Sequence, residues 1–169
     1  MKQTTSSEKT FRIVTTGLLA SILLIGQVGM SFLPNIEPVS TLIILYIIIY
    51  KKHTFYIIYT FVLLEGIIYG FGVWWVSYLY IWSVLALITL ALQKINSALF
   101  WAVISGAFGL SFGALTAIPY LISGGPGAAF AYWTNGIPYD ILHCCGNFVL
   151  TLILYKPLLP ILKKIPMSN

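Results

Sequence analysis

Apolar residues run through this chain in blocks broken at intervals by short turns rich in charge, proline or glycine. The first block covers residues 11–33 and ends in Leu33-Pro34-Asn35-Ile36-Glu37-Pro38, where two prolines and an asparagine break the helix. The second, Val39 to Tyr50, is short. Its residues at ~1.5 Å each cover about 18 Å, well under the ~30 Å of a bilayer core. It must begin beneath the surface, extend through the loop or lie in a thinned region. Lys51-Lys52-His53 turns the chain into a third block at 54–71. Blocks at 73–92, 98–122 and 136–162 follow, with turns at 93–97 and 124–135. The pattern predicts an all-α polytopic membrane protein with six transmembrane helices. Residues 11–162 form one domain between tails at 1–10 and 163–169. The basic start and apolar first block mimic a signal peptide. The run is too long for that, lacks a clear cleavage site and is followed by five more, so it is kept as mature structure.

Composition sharpens this picture. With 59% hydrophobic and 8% charged residues and a mean hydropathy of +0.95, little mass is left for a soluble catalytic domain. No P-loop pattern occurs, so ATP-driven work would fall to a partner. Cys144 and Cys145 are adjacent in the last span, which supports neither a disulfide framework nor a zinc site. The net charge of +5 is not a nucleic-acid signature, because its distribution follows topology. The nine Lys and Arg residues fall at Lys2, Lys9 and Arg12; Lys51 and Lys52; Lys94; and Lys156, Lys163 and Lys164. Six spans put all of them on one side, and the positive-inside rule makes that side the cytoplasm. Both termini are then cytoplasmic, in a multi-pass protein of a bacterial plasma membrane with lipid around it.

The polar positions inside the spans carry the candidate chemistry. In the last span Asp140, His143, Asn147 and Thr151 recur at offsets of three, four and four, hence on one helical face. Such a stripe is costly in a membrane unless it faces protein, water or a ligand, so it is read as one wall of a polar pocket. Glu65 of span three lies roughly 9 Å below its outer end, level with His143. It either fixes helix packing or contacts a ligand. Glu37 is a solvated loop acid or a lid residue. Trp74 and Trp75 read as an interfacial belt. Tyr78 and Trp82, four apart, either stack on a flat ligand or serve lipid anchoring and core packing. Loop 124–135, with Phe130, Tyr132 and Trp133, is a gate or a plain connector. Two small-residue patterns admit close helix approach, either internal or to a partner. One is Thr16/Ala20 with Gly17/Ser21 in span one; the other is Ser105, Gly109, Gly113 and Ala117 in span five. His53, among lysines, is assigned no chemistry. The outer half also holds Gln27, whereas the inner half is mostly aliphatic. This suits capture of a small molecule from outside and not a continuous conduction path.

The chain resembles a substrate-binding S component of an energy-coupling-factor (ECF) transporter. The likeness rests on length, six spans with both ends inside, the small-residue motif of span one, the PNIEPV loop and the closing GIPYDILHCCGN…KPLLPIL helix. It implies an S-component-like bundle with a binding site near the outer face. It also implies docking through span one on a transmembrane coupling (T) protein, with two ABC-type ATPases powering uptake of a vitamin-like or related molecule. Family members commonly show Ala-x-x-x-Ala where Thr16, Gly17, Ala20 and Ser21 stand here. Nickel and cobalt members carry a histidine beside the initiator methionine; Lys2 here disfavours a metal-ion substrate. On this reading His143 and Asn147 hydrogen-bond the ligand, Glu65 or Asp140 orients a donor or balances a cation, and Trp82, Tyr78 or Trp133 stacks. The chain itself would be no enzyme and hold no cofactor or metal. Two rivals remain. Gly109-Leu110-Ser111-Phe112-Gly113 matches G-x-S-x-G, which would pair Ser111 with His143 in an intramembrane serine hydrolase. That signature belongs to a strand–turn–helix elbow, however, and not to a membrane helix. The other rival is a non-catalytic assembly or channel subunit.

Overall fold

The computed structural model describes residues 5–167, and all of its regular elements are helical. Six α-helices follow one another: α1 Ser6–Gly29, α2 Val39–Tyr50, α3 Thr54–Tyr69, α4 Val73–Leu92, α5 Ala98–Thr116 and α6 Ile118–Leu162. A single 3-10 turn, Lys51–His53, joins α2 to α3. Five stretches are long and apolar enough to cross a membrane when Val39–Tyr69 is taken as one. Backbone and contacts divide that stretch in two. Lys51 adopts φ 53°, ψ −128°, which ends α2. The α1 residues Gly26 and Gln27 then meet Pro38 at the start of α2 and Glu65 near the end of α3. Arg12, at the other end of α1, meets His53. α2 therefore runs antiparallel to both α1 and α3.

The helix order follows from paired contacts. Tyr59 reaches Ser83 and Trp75 reaches the Val62 carbonyl, so α4 returns against α3. Tyr80 donates to the Leu115 carbonyl and Ser77 to that of Thr116, joining α4 to α5. α5 and α6 share the most intimate contact. A Cβ added at Gly109 would lie 2.8 Å from the His143 carbonyl carbon and oxygen, and one at Gly113 would collide with the Asp140 carboxylate. The small-residue ridge of α5 is thus an internal packing surface against α6, which resolves one of the two readings the sequence left open.

α2 is the hub. Val39 through Ile47 are all buried, most of them completely. A helix that is apolar on every side is stable only when surrounded, and α1, α3, α4 and α6 enclose it. Its shortness is tolerable because its sides face protein and not lipid. The outward faces carry the opposite signature: Ile13, Leu18, Ile25, Ile67, Leu87, Val103, Leu110 and Ile153 are all exposed. Such a continuous apolar exterior is what a lipid environment requires.

α1 and α3 stop at Gly29 and Tyr69, short of the predicted 33 and 71, and three further boundaries differ from expectation. Residues 6–10, predicted as tail, open α1, because Thr5 and Glu8 form a reciprocal capping box. The fifth span ends at Thr116, six residues before the predicted 122. Residues 124–135, predicted as a loop, belong to α6 apart from a break at Gly125 (φ 77°). Pro126 comes just after that break, at the first turn of the following limb, where proline starts a helix and does not interrupt one. Tyr120 and Tyr132 stack at 4.1 Å across the bend. The limb from Pro126 to Leu162 spans roughly 55 Å, so it outreaches a ~30 Å bilayer core.

Candidate functional site

At the end of the bundle away from Arg12 and the lysines, six segments converge on a cavity of about 390 Å³. α1 supplies Gln27, and the 30–38 loop supplies Asn35 and Glu37. α3 supplies Glu65, α4 supplies Trp74 and Tyr78, and Phe112 and His143 come from α5 and α6. A second lobe of about 580 Å³ adjoins it, bounded by Thr116, Tyr132, Tyr139 and Asp140. Asn35, Trp74, Tyr78 and Phe112 border both lobes.

The loop is held in place by local chemistry. Asn35 takes a left-handed conformation (φ 56°), which asparagine tolerates better than most residues. Its Nδ2 donates to the Tyr139 carbonyl at 3.3 Å. Ile36 lies over Gly146, and Pro38 lies over Gly26. Both glycines provide the space the loop needs to sit down on α1 and α6.

Inside the cavity, Gln27 is central. Its Nε2 lies 3.4 Å from Glu65 Oε2 and 3.3 Å from the Tyr78 hydroxyl. Glu65 is 1% exposed and His143 2% exposed. Gln27 Oε1, Glu65 Oε1 and both ring nitrogens of His143 have no hydrogen-bond partner. A buried polar atom left unpaired costs on the order of 1–3 kcal/mol, so these groups are poorly served by the protein alone. The His143 ring meets Phe112 edge-on at 4.8 Å. Glu37, in the loop, is partly buried. Desolvation, followed by the nearby Glu65, pushes its carboxyl pKa up to about 8.

The expected site residues divide sharply. His143, Glu65, Glu37 and Tyr78 share the first lobe, and Asp140 borders the second. Asp140 accepts a 2.9 Å hydrogen bond from the Gly113 amide, which ties it to helix packing as well. Asn147 lines neither lobe. Its Nδ2 donates to Ser40 Oγ at 3.0 Å and to the Ser105 carbonyl at 3.2 Å, so it fastens α2 and α5 to α6. Trp82 is fully buried between Phe61, Tyr78, Phe108 and Phe112. It lies one turn beyond Tyr78 along the same helical face and acts as packing beneath the cavity, not as its wall. Trp133 is half-exposed and packs against Phe130. The helix that replaces the expected loop turns it away from both lobes. Trp74 does line both, although its outer-end position suggested only an interfacial belt. Gln27 stood out as a polar residue in an apolar span, but no spacing rule could assign its partners.

The span-one motif also divides. Ala20 is fully buried inside the bundle. Ser21 spends its hydroxyl on the Gly17 carbonyl at 2.8 Å. Thr16 and Gly17 border a mostly apolar groove with Ile13, Tyr56 and Thr60, and a Cβ at Gly17 would meet nothing within 4 Å. Ser111 is exposed on α5 and donates to the Ala107 carbonyl, while His143 is buried without a partner. No Ser111–His143 hydrogen bond exists. Among the described residues, no group of three or more His, Cys, Asp or Glu side chains could hold a metal ion. Comparison of the chain with known protein families, with curated proteins and with solved structures gives no match.

Proposed function

We propose that this protein is the substrate-capture subunit of an ATP-driven importer of the energy-coupling-factor type, binding a small molecule from the outer side of the cell membrane. Six membrane-spanning helices with both termini in the cytoplasm fit the alternating helix directions and the segregation of lysines to one end. The observation that carries the reading is the cavity at the opposite end, where Glu65 and His143 are buried, line the space and lack partners. Its size suits a vitamin-like molecule. Its polar lining stops at that end, which favours binding over conduction. The open groove beside Thr16 and Gly17 suits docking of a transmembrane coupling protein, whose two ABC-type ATPases would supply the energy.

Purified protein with His143→Ala tests this reading. The substitution removes a cavity wall without touching the helix contacts of Asn147 or Asp140. The expected result is a folded, inserted protein that loses a small molecule retained by the wild type, measured by mass spectrometry of the released ligand. Equal retention by both proteins would remove the cavity from the function.

A further inference from the structure

We infer that the ligand of this cavity is a small organic cation carrying a flat ring, with its positively charged N–H group placed between Glu65 and Gln27. The inference rests on the capture reading above and specifies its substrate class. Three observations carry it.

The first is an imbalance of hydrogen-bonding groups. The unpaired Gln27 and Glu65 atoms, Oε1 of each, are both acceptors. The Gln27 amide donors are already directed at Glu65 and Tyr78. His143 adds one acceptor and at most one donor in its neutral form. A ligand that completes this set must therefore bring hydrogen-bond donors, N–H or O–H.

The second is an imbalance of charge. Glu37 and Glu65 line the first lobe and Asp140 the second, yet among the described residues no lysine or arginine lines either. The basic residues of α1 and of the α2–α3 turn border grooves at the opposite end. Burial without a counter-charge disfavours the carboxylate form, as at Glu37, and a cation brought in by the ligand restores it. An anionic ligand would instead add to it.

The third is the aromatic frame. Trp74, Tyr78 and Phe112 stand where the two lobes meet. An organic cation gains from such faces through stacking and cation–π attraction, whereas a bare metal ion does not need them. The ring of the ligand fits along this frame, its charged end reaching the first lobe.

The test uses one ring with three side groups: benzylamine, protonated at neutral pH, benzyl alcohol and benzoate. Binding to the purified full-length protein is followed by tryptophan fluorescence, to which Trp74 is positioned to respond, and by thermal shift. Benzylammonium should bind at least about tenfold more tightly than the alcohol, as a charge-assisted hydrogen bond implies, and benzoate most weakly. Glu65→Gln should erase most of that preference. Glu37→Gln, in the loop, should reduce it and remains informative if the Glu65 variant folds poorly. If the alcohol or benzoate binds as tightly as the amine, the cation assignment falls while small-molecule capture stands. A preference that survives both substitutions also overturns the assignment. If none of the three binds, the cation assignment falls, and capture is decided separately by whether the wild type retains a small molecule that His143→Ala loses.

Discussion

Substituting Gly109 by alanine tests the account of how the cavity wall is positioned. The added Cβ would lie 2.8 Å from the carbonyl carbon and oxygen of His143 and 2.9 Å from the Cys144 nitrogen. All three are backbone atoms of α6, so no side chain can swing aside. Restoring ordinary contact needs the helices to part by about 0.6–0.8 Å locally. A gap of that size forfeits roughly a quarter to a half of each dispersion contact it opens, and overpacking of this kind typically costs about 1–3 kcal/mol. Replacing a helical glycine by alanine returns up to about 1 kcal/mol. The expected net loss is therefore about 0–2 kcal/mol, read from reversible unfolding in detergent followed by circular dichroism. Two other glycines calibrate it. At Gly106 the added Cβ would approach the Cys144 carbonyl at 3.3 Å, and at Gly17 it would meet nothing within 4 Å. Gly106→Ala should be close to neutral and Gly17→Ala neutral to slightly stabilising. Ligand affinity should fall in Gly109→Ala alone, because the displaced residue is His143. A Gly109→Ala protein as stable as the Gly17→Ala protein would refute the tight α5–α6 register.

Other expected outcomes follow from single contacts. Asn147→Ala removes the bonds to Ser40 and Ser105 and should cost about 1–3 kcal/mol of stability. In the folded protein ligand affinity should change little, and a specific loss of affinity at unchanged stability would return Asn147 to the binding site. Glu37 gives a pH dependence. Its folded-state pKa of about 8 lies above the ordinary 4.5, so the folded state binds the proton more tightly. The corresponding stability is fully present below the ordinary pKa and is lost as pH rises through about 8. Glu65, Tyr69, Tyr78 and His143 line the same cavity, so the difference between wild type and Glu37→Gln in thermal unfolding isolates Glu37. A slope unchanged by the substitution would contradict the desolvated carboxyl. Gly17→Leu should spare ligand binding but block assembly with a coupling protein in co-purification, and normal assembly would move the docking face elsewhere.

Much of the helical framework is legible in the chain. The bounds of α2 and α4 coincide with their apolar blocks, because charged or glycine-bearing turns flank them. The polar stripe of α6, read as one wall of a polar pocket, lies on one buried face, but of Asp140, His143, Asn147 and Thr151 only the first two border a lobe. Spacing defines a face but not what meets it. Asp140 goes to Gly113, Asn147 to Ser40, and Thr151 to Thr41 at 2.7 Å, which leaves only His143 of the four open to the first lobe. The lobe joins residues as distant as Gln27, Tyr78 and His143, and no local pattern reports such a meeting. Burial of α2 is equally silent, since an apolar helix reads alike in protein and in lipid. The capping box of Thr5 and Glu8 was readable as T-x-x-E, but the polar composition of the first ten residues outweighed it. At 124–135 Gly125 and Pro126 signal a break, which they make, while the alanines beyond them rebuild a helix at once.

The central claim is that the cavity bounded by Glu37, Glu65 and His143 captures a small molecule. Native mass spectrometry of the purified protein, wild type beside Glu65→Gln and His143→Ala, tests it most directly. The account predicts a one-to-one small-molecule adduct on the wild type that is lost or strongly depleted in both variants. An adduct carried equally by all three proteins, or none on the wild type even after incubation with cationic ring compounds, would contradict it.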